Sequence, residues 1–460
     1  MVRNKKEIAK DLEKLIGREH ILSSYEERIC YSYDATNDFF LPDVVVLPEE
    51  AGQVSKVMKY AYQNKIPIVP RGAGSGYTGG SLPVKGGIVI SFERMNKILK
   101  IDVKEKYAVV EPGVVNLDFA QEAAKLGLLY PPDPSSDKMS TLGGNVAENA
   151  GGLRGRKYGV TKNYVWGLEA VLGNGEILQT GIFNPEETGY DLTSLLIGSE
   201  GTLAVITKIA LKLLPQVSYE ETILASFEKM EDSAQVVSDI TSAGITPSIL
   251  EFIDQDTLDC VLEYIQVDFV RKGGPILLIE INGQDKEQVH PEMEKIETIC
   301  RKNNAKNISF AQTKEEKEKL WKIRKSASAS LLRMAPTKVN EDICVPPSQL
   351  PNMVKGIKEL GKKYNININT FGHAGDGNLH VNIMTDRRNK EEMERVEGAV
   401  DELFDLTLKL EGTLSGEHGI GTTKSKFLER EVGKSGIKLM QRIKKAFDPE
   451  GIINPGKIFE

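Results

Sequence analysis

The sequence is poor in cysteine and histidine, and it lacks both long apolar runs and an excess of positive charge. Its four cysteines are far apart and form no Cys-x-x-Cys pair, which argues against an iron–sulfur cluster or a cysteine zinc site and favours reduced thiols in a cytoplasmic protein. No apolar segment approaches the roughly 18 residues of a membrane span, so we expect no transmembrane segment. The net charge of −7 argues against nucleic acid as a partner.

The 460 residues suffice for two or three domains with separate cores. Residues 4–16 are expected to form an amphipathic helix that ends at Gly17, and not a signal peptide. Five of the nine residues from Gly72 to Gly80 are glycine, directly after a β-branched strand predicted over 66–69. Glycines at this density let successive backbone N–H groups turn toward one anion, most often a phosphate.

This glycine-rich loop differs from the nicotinamide and ATP motifs. Gly74-x-Gly76-x-x-Gly79 matches the dinucleotide fingerprint, but that fingerprint must open a helix, whereas Pro83 and a predicted strand over 88–92 follow here. The Lys-Ser/Thr pair of a P-loop is also missing. We therefore predict a strand–loop–strand site for a diphosphate. A second glycine-rich tract over 141–154 predicts backbone packed closely against a flat ligand.

The second half of the chain has a different pattern. After about residue 216, strands alternate with amphipathic helices and occasionally follow one another directly, which indicates split βαβ, ferredoxin-like sheets. Turn-rich sequence returns near the C-terminus. We predict domains over 1–218, 219–420 and 421–460. The second half is predicted to contain strands over 222–227, 276–283, 308–312, 339–345, 366–371 and 379–385 and helices over 228–243, 285–303, 314–333, 347–363 and 389–410.

Three of the five histidines lie in glycine-flanked motifs. A hairpin in the first motif can bring His373 and His380 face to face, and Glu417 would supply a third ligand. Two imidazoles and a carboxylate suit Zn²⁺, Mn²⁺ or Fe²⁺, and a hydrogen-bonded polar cluster without metal is the alternative. The remaining two histidines, His20 and His290, are predicted to be surface residues.

Such a metal site can chelate a 2-hydroxy acid through its hydroxyl and one carboxylate oxygen. The metal would lower the pKa of that hydroxyl, as it does for bound water. His418, next to Glu417, could then take the hydroxyl proton as a general base near neutral pH. The hydride from the same carbon needs an acceptor, and the diphosphate site of the first domain predicts a cofactor for that purpose.

Five motifs, spread over nearly the whole chain, match a known family in the same order. They are Pro70-Arg71-Gly72-x-Gly74-Ser75-x-x-x-Gly79-Gly80-Ser81, Thr141-Leu142-Gly143-Gly144-Asn145, Gly198-Ser199-Glu200-Gly201-Thr202-Leu203, Gly372-His373-x-Gly375-Asp376-Gly377-Asn378-Leu379-His380 and Asn454-Pro455-Gly456-Lys457. Together they resemble the FAD-linked 2-hydroxy acid dehydrogenases: D-lactate dehydrogenases, the FAD subunit of glycolate oxidase and D-2-hydroxyglutarate dehydrogenase. The resemblance implies an α+β fold, with a p-cresol methylhydroxylase or vanillyl-alcohol oxidase type FAD-binding domain, a ferredoxin-like substrate (cap) domain and a helical C-terminal return.

The resemblance also implies the site residues. FAD would be bound by Arg71, Gly72, Gly74, Ser75, Gly76, Gly79, Gly80, Ser81, Pro134, Ser135, Thr141, Gly144, Asn145, Gly151, Gly201 and Asn454. The binding would be non-covalent, because no histidine lies in the 71–81 loop, where some relatives attach the flavin. The ligands of a divalent metal (Zn, Mn or Fe) would be His373, His380 and Glu417. The catalytic residues would be His418 as the base, Arg324 on the substrate carboxylate and Asn382 as a further substrate contact.

Two departures from the family bear on the substrate. The threonine one turn after the arginine in the hydroxyglutarate enzymes is Ser328 here, and their lysine has only a sequence neighbour, Lys338. A second carboxylate would then be poorly held. We therefore expect a small monocarboxylate, D-lactate first, with glycolate and D-2-hydroxyglutarate as the alternatives.

The reduced flavin must pass its electrons on, and the sequence predicts no relay within the chain. We expect a partner protein to accept them, either an electron-transfer flavoprotein or an iron–sulfur subunit. Two other hypotheses stay open at this point. One is a metallohydrolase in which the histidines activate water, which leaves both glycine tracts unexplained. The other is an electron-transfer flavoprotein subunit with a degenerate substrate site.

Overall fold

The computed structural model describes residues 4–36, 38–184, 189–265 and 273–459. These residues divide into two compact units. Unit 1 takes its residues from 1–151, 160–216 and 417–460, and unit 2 from 152–159 and 217–416. The predicted domain boundaries, 1–218, 219–420 and 421–460, stay a prediction. Among the described residues, no helix is both long enough and apolar enough to cross a bilayer.

The described residues mix helices and strands, as the α+β prediction requires. The helices are α1 (Lys5–Ile16), α2 (Tyr25–Ile29), α3 (Ala51–Asn64), α4 (Asn116–Lys125), α5 (Leu142–Glu148), α6 (Gly155–Tyr158), α7 (Leu192–Leu196), α8 (Met230–Ser242), α9 (Gln255–Ile265), α10 (Lys286–Lys302), α11 (Lys314–Ser330), α12 (Leu350–Tyr364), α13 (Lys390–Lys409) and α14 (Ser425–Phe447). Several of them begin at a side-chain cap. In α1, for example, the Asn4 side chain accepts from the Glu7 backbone N–H, and the Glu7 carboxylate accepts from the Asn4 backbone N–H.

The strands fall into two groups that belong to different units. Those of unit 1 are β1 (Ile21–Leu22), β2 (Val44–Val46), β3 (Ile68–Arg71), β4 (Ile88–Ser91), β5 (Ile98–Asp102), β6 (Tyr107–Val110), β7 (Leu128–Leu129), β8 (Val165–Val171), β9 (Ile177–Gln179), β10 (Val205–Lys212) and β11 (Leu214–Pro215). Those of unit 2 are β12 (Tyr219–Ser226), β13 (Ile249–Ile253), β14 (Ile276–Gly283), β15 (Asn307–Phe310), β16 (Thr337–Cys344), β17 (Asn367–Gly372) and β18 (Asn378–Thr385).

Unit 1 contains a small mixed sheet in the order β1-β2-β4-β3, in which β4 is parallel to both β2 and β3. Its strands are apolar on both faces, and α1 and α3 share a core with it. A second, antiparallel sheet has the order β5-β6-β10-β8-β9. The C-terminal segment runs beside β3, because the Ile68 N–H donates to the Ile452 carbonyl and the Asn454 N–H donates to the Ile68 carbonyl, both at 2.7 Å.

Unit 2 is built on one antiparallel sheet of seven strands, in the order β15-β12-β14-β13-β17-β18-β16. Apolar residues of α9 and α11 share a core with Ile253, Phe371 and Met384 on one face of this sheet. Toward β13 and β14 this face also carries the buried Glu251 and Glu280, which pair with Arg324 and Lys317 of α11. The face becomes polar toward β18 and β16, and this polar part holds the second candidate site.

Three features of the structure were not predicted correctly. β13 and α9 were missed, although the strand carries an apolar run around Glu251. The helical part of α14 before Gly433 was missed, whereas a helix over 434–447 was predicted, and the break between the two parts lies at Gly433, where φ is +68°. His20 is buried and not exposed: its Nδ1 lies 2.9 Å from the Leu47 carbonyl oxygen and its Nε2 lies 3.1 Å from the Gln53 amide.

Candidate functional site: a cofactor cavity and a histidine cluster

The glycine-rich loop leads from β3 toward β4, and these strands are parallel neighbours. The predicted strand–loop–strand arrangement is therefore confirmed. Gly74 and Gly79 have φ values of +68° and +80°, where side chains with a Cβ are strained. A Cβ on Gly74 would also overlap the Arg71 guanidinium. Glycine is thus required here by the backbone and by the arginine behind it.

Arg71 holds the two ends of this loop together. Its buried guanidinium donates to the Tyr33 carbonyl at 2.8 Å and to the Ser81 hydroxyl at 3.2 Å. Burial lowers the pKa of Arg71, and the nearby carboxylate of Asp34 opposes that shift. Arg71 therefore braces the loop with its side chain and leaves the backbone amides to contact a ligand.

The loop lines a cavity that lies wholly within unit 1. The predicted cofactor residues that line it are Arg71, Gly72, Gly74, Ser75, Gly76, Gly80, Ser81, Pro134, Ser135, Thr141, Gly144, Asn145 and Gly201. Gly79, Gly151 and Asn454 are not among the described lining residues. At Gly76 a Cβ would meet no atom within 4 Å, so that glycine faces open space. A deep cavity walled by glycine backbone fits the diphosphate and flat ring system of FAD.

Asn454 contacts residues of the cavity wall and is not itself a described lining residue. Its side-chain N–H groups donate to the Gly80 carbonyl at 2.8 Å and to the Glu200 carbonyl at 2.9 Å. It therefore fastens two lining segments together. The predicted return of the C-terminus to the cofactor is indirect, through these two carbonyls.

The second glycine-rich tract forms a helix, which the sequence analysis did not foresee. Thr141 caps α5, and its hydroxyl accepts from the Gly144 N–H at 3.3 Å. Gly143 packs so closely on Pro112 that a Cβ would overlap it. The short helix is stable here because this packing compensates for the low helix propensity of glycine.

Two buried carboxylates in the cavity wall were missed by the sequence analysis. Glu200 accepts the backbone N–H groups of Ile420 and Gly421 at 2.8 and 2.7 Å, so it fixes the segment just after His418. Burial first, and then the nearby Glu200, raise the pKa of Glu148 well above its usual range. Acidic residues inside the Glu-Asn-Ala-Gly-Gly and Gly-Ser-Glu-Gly motifs were the signal that could have revealed them.

His418 lies in unit 1 and lines the same cavity. Its ring stacks on Tyr77, with 5.2 Å between ring centroids, and its carbonyl accepts from the Thr78 hydroxyl at 3.0 Å. The glycine-rich loop therefore supports this histidine directly. Glu417 lines the cavity as well, and its carboxylate is 3.9 Å from the His418 Nε2.

In unit 2, the polar face of the sheet carries two rows of residues that run across β17, β18 and β16. The first row is Phe371, His380 and Asp342. The second, two residues along each strand, is Asn369, Asn382 and Asn340, and we call it the asparagine row. All of these residues except Asn340 are buried.

His373 and His380 are brought together as predicted. Their rings are perpendicular, with centroids 5.3 Å apart, and both are buried. His373 Nδ1 lies 2.7 Å from a carboxylate oxygen of Glu251, which directs the other ring nitrogen away from that carboxylate. Two imidazoles in this arrangement are a donor set that fits a divalent transition metal. Glu417 lies in unit 1, so its membership of the ligand set stays a prediction.

Arg324 reaches the same cluster from α11. Its guanidinium is buried, forms an ion pair with Glu251 and lies over the Phe371 ring, 4.9 Å from the centroid. Within the described part of the chain, its Nη2 has no hydrogen-bond partner. Glu251 was missed by the sequence analysis because β13 was missed.

Asn382, which is the predicted substrate contact, has two asparagine neighbours in the asparagine row. The Asn340 side-chain N–H donates to the Asn382 side-chain oxygen at 2.7 Å. Asn369 is fully buried, yet neither of its side-chain polar atoms has a hydrogen-bond partner among the described residues. Buried amides without partners are rare in native proteins, so Asn369 is a candidate ligand contact that the sequence did not indicate.

One sequence argument is corrected by the structure. Lys338 is not merely a sequence neighbour of the family's lysine, because its Nζ donates to the Ser328 hydroxyl at 2.5 Å. Ser328 is one helical turn from Arg324 on α11, so the three residues share one side. Whether these three residues correspond to the arginine, hydroxyl and lysine of the hydroxyglutarate enzymes stays a prediction.

The sequence comparisons match both halves of the chain to known families. A model described as "FAD linked oxidases, C-terminal domain" matches residues 216–458, and one described as "FAD binding domain" matches residues 42–181. Glycolate oxidase subunit GlcD of Bacillus subtilis is 47% identical over 99% of this chain and 97% of that protein. The D-lactate dehydrogenase of Anaerostipes hadrus is 35% identical over 91% of this chain and 89% of that protein.

Solved structures support the same fold. p-Cresol methylhydroxylase with substrate bound superposes with a TM-score of 0.82 at 20% identity, over 99% of this chain and 97% of that one. A 4-ethylphenol oxidase from Gulosibacter chungangensis gives a TM-score of 0.80 at 18% identity, over 99% and 97%. The predicted p-cresol methylhydroxylase fold is thus confirmed, and the chain belongs to the FAD-linked oxidase family.

Proposed function

We propose that the protein oxidises a small 2-hydroxy acid to the 2-oxo acid, with FAD in the cavity of unit 1. The observation that carries the proposal is the cluster of Arg324, His373 and His380. A buried guanidinium whose Nη2 has no hydrogen-bond partner among the described residues lies near two imidazoles, and together they offer what the carboxylate and the hydroxyl of such an acid require. The names of the glycolate and D-lactate relatives agree with this substrate class.

The residues of the chain would have the following roles in binding and catalysis. Arg324 binds the substrate carboxylate, and Asn382 contacts the substrate beside it. His373 and His380 hold a divalent metal, with Glu417 as the third ligand. When bound, this metal lowers the pKa of the substrate hydroxyl. Zn, Mn and Fe(II) all suit this ligand set.

His418 would act as the general base. It removes the hydroxyl proton while the hydride leaves C2, so that the substrate loses two electrons and two hydrogen nuclei and becomes the 2-oxo acid. FAD, when bound, accepts the hydride. The stack of Tyr77 on His418 keeps the imidazole at the cavity wall. The family match favours this redox chemistry over the metallohydrolase hypothesis.

Three substrates of this class are candidates, and a different argument favours each of them. D-Lactate is the substrate that the sequence motifs predict. Glycolate is favoured by the 47% identity to the glycolate oxidase subunit. A hydroxy acid with a second carboxylate is favoured by the contact of Lys338 with Ser328, which supplies the basic group that the sequence argument lacked.

Anaerobic bleaching of the flavin would test the function and rank the substrates. The purified yellow protein is mixed with glycolate, D-lactate, L-lactate or D-2-hydroxyglutarate, and the loss of flavin absorbance is followed. We expect fast bleaching by D-lactate or glycolate and none by L-lactate. Bleaching by none of glycolate, D-lactate and D-2-hydroxyglutarate would overturn the proposal, and bleaching by D-2-hydroxyglutarate alone would overturn the monocarboxylate assignment.

The same assay with His418→Ala tests the base. General-base removal costs roughly 10²–10⁴-fold in rate, so bleaching should slow by that amount while the flavin content stays unchanged. Undiminished bleaching would assign the base to another residue.

We further propose that the electrons leave to a partner protein, either an electron-transfer flavoprotein or an iron–sulfur subunit. The four cysteines are free thiols that do not form a cluster among the described residues. The substrate-reduced enzyme should therefore react slowly with oxygen and fast with an artificial one-electron acceptor. Fast reoxidation by oxygen alone would show that no partner is needed.

A further inference from the structure

We propose that Glu251 is a positioning residue that sets the metal-binding nitrogen of His373 and the orientation of Arg324 at the same time. The inference rests on the proposed function, because it assumes that His373 binds a metal and that Arg324 binds the substrate carboxylate. It adds a residue that neither the motifs nor the family comparisons assign.

Glu251 stands between the two functional side chains. One carboxylate oxygen lies 2.7 Å from His373 Nδ1, and the other pairs with the Nε of Arg324. Glu251 itself is wholly buried, near the middle of β13, where its backbone pairs with Leu278 of β14. Its position is therefore fixed by the sheet, and its two oxygens are divided between the two partners.

This geometry determines the tautomer of His373. One oxygen of the Glu251 carboxylate pairs with the Arg324 Nε, and the other oxygen faces His373 Nδ1 as a hydrogen-bond acceptor, so the N–H of His373 lies on Nδ1. The lone pair then belongs to Nε2, which is the nitrogen that a metal would use. Metal-ligating histidines commonly donate their other N–H to a carboxylate, and loss of that partner lowers metal affinity by roughly 10–100-fold.

The same carboxylate orients Arg324. Because Nε pairs with Glu251 and Cζ lies over the Phe371 ring, the guanidinium is held at two points and the orientation of its Nη atoms is restricted. Nη2 is the buried donor that lacks a partner among the described residues. A substrate carboxylate would fill that gap at little cost in conformational entropy, since the arginine is already held in place.

A purely structural role for Glu251 predicts different results from a positioning role. Glu280 provides the comparison, because it is also a buried glutamate in the same sheet, on the neighbouring strand β14. It pairs with Lys317 at 2.8 Å and accepts from the Ser248 hydroxyl at 3.1 Å. Glu280→Gln therefore removes the same buried charge without touching His373 or Arg324.

The first test measures the wild-type enzyme, and one substitution serves only to assign the signal. The protein has only five histidines, so the ring nitrogens of ¹⁵N-histidine-labelled, FAD-loaded, metal-free enzyme can be resolved by NMR, with His373→Ala assigning the signal. We expect the Nδ1–H tautomer for His373 at neutral pH. An Nε2–H tautomer would overturn the inference.

The second test measures Zn²⁺ binding to FAD-loaded, metal-free enzyme by competition with a fluorescent chelator. We expect Glu251→Gln to weaken Zn²⁺ binding roughly 10–100-fold and Glu280→Gln to leave it within about twofold. In a His373→Ala background, the Glu251→Gln effect should disappear. With metal saturating, Glu251→Gln should also raise KM for the hydroxy acid more than it lowers kcat.

The outcomes separate this inference from the proposed function. If wild-type enzyme binds Zn²⁺ and Glu251→Gln binds it equally well, the positioning role is wrong and the metal site stands. If wild-type enzyme does not bind Zn²⁺ at all, the metal site of the proposed function is wrong, and the inference falls with it. If both glutamine variants weaken Zn²⁺ binding to the same extent, the effect of Glu251 is merely structural.

Discussion

The cofactor cavity of unit 1 and the histidine cluster of unit 2 are built in opposite ways. The cavity is walled by backbone, and its key residues are glycines whose missing side chains make room or permit positive φ. The cluster is made of long polar side chains that project from neighbouring strands and from α11. A backbone site depends on the conformation of a contiguous segment, whereas a side-chain site depends on the register between distant segments.

The largest effect is expected from a substitution that disrupts the side-chain site. His373→Ala removes a proposed metal ligand, and because a Lewis-acid metal supplies several kcal/mol, kcat/KM should fall roughly 10³-fold. The flavin content should stay unchanged, since His373 belongs to unit 2 and the cofactor cavity to unit 1. Steady-state rates and the flavin-to-protein ratio measure both quantities. His290→Ala, a substitution of a partly exposed histidine of the same unit, is the control and should stay within about twofold.

A second substitution is expected to disrupt the backbone site. Gly74→Ala forces an alanine into positive φ, which costs roughly 1–2 kcal/mol, and places its Cβ against Arg71, so FAD affinity should fall at least roughly 10-fold. Titration of FAD into the flavin-free protein measures the affinity.

The matched control is Gly76→Ala in the same loop, whose Cβ meets no atom of the chain within 4 Å. Its flavin-free form should melt at the wild-type temperature, whereas that of Gly74→Ala should melt lower. Wild-type FAD affinity in Gly74→Ala would show that the loop conformation is not what binds the cofactor.

A third substitution, with a smaller expected effect, tests one further residue of the side-chain site. Asn369→Leu replaces a buried amide that has no partner among the described residues. If that amide binds the substrate, the loss of one such hydrogen bond costs about 1–3 kcal/mol, which corresponds to a roughly 5–100-fold rise in KM. The free energy of unfolding should change little, because no hydrogen bond of the described chain is broken.

The control for Asn369 is Asn367→Leu, two residues earlier on β17 and exposed to solvent. It should leave KM unchanged. An unchanged KM in Asn369→Leu, with a stability equal to that of the wild type, would remove Asn369 from the substrate site.

The sequence predicted much of unit 1 because its signals are local. Glycines after a β-branched strand, with Pro83 and a second strand in place of a helix, were enough to distinguish this loop from a dinucleotide fold. The helix α5 escaped prediction, since the seven residues from Leu142 to Glu148 of a glycine-rich tract are held helical by packing on Pro112 and by the Thr141 cap. Tertiary contacts override local propensity there.

In unit 2 the sequence predicted the histidines and Arg324 but not their neighbours. Glu251 lies more than 70 residues from Arg324 and more than 120 from His373 in the sequence, and only the strand order of the sheet brings it between them. The contact of Lys338 with Ser328 was dismissed for the same reason, because spacing along the chain does not give the distance between a helix and a strand.

The sequence by itself determined the residue types, the two kinds of site and the family, since each depends on short contiguous motifs. The tertiary structure decided which side chains share a partner: Glu251 with His373 and Arg324, Asn382 with Asn340, and Glu200 with the segment after His418. The physical reason is that cross-strand register and helix packing, which are set by the whole core, fix distances that no local pattern specifies.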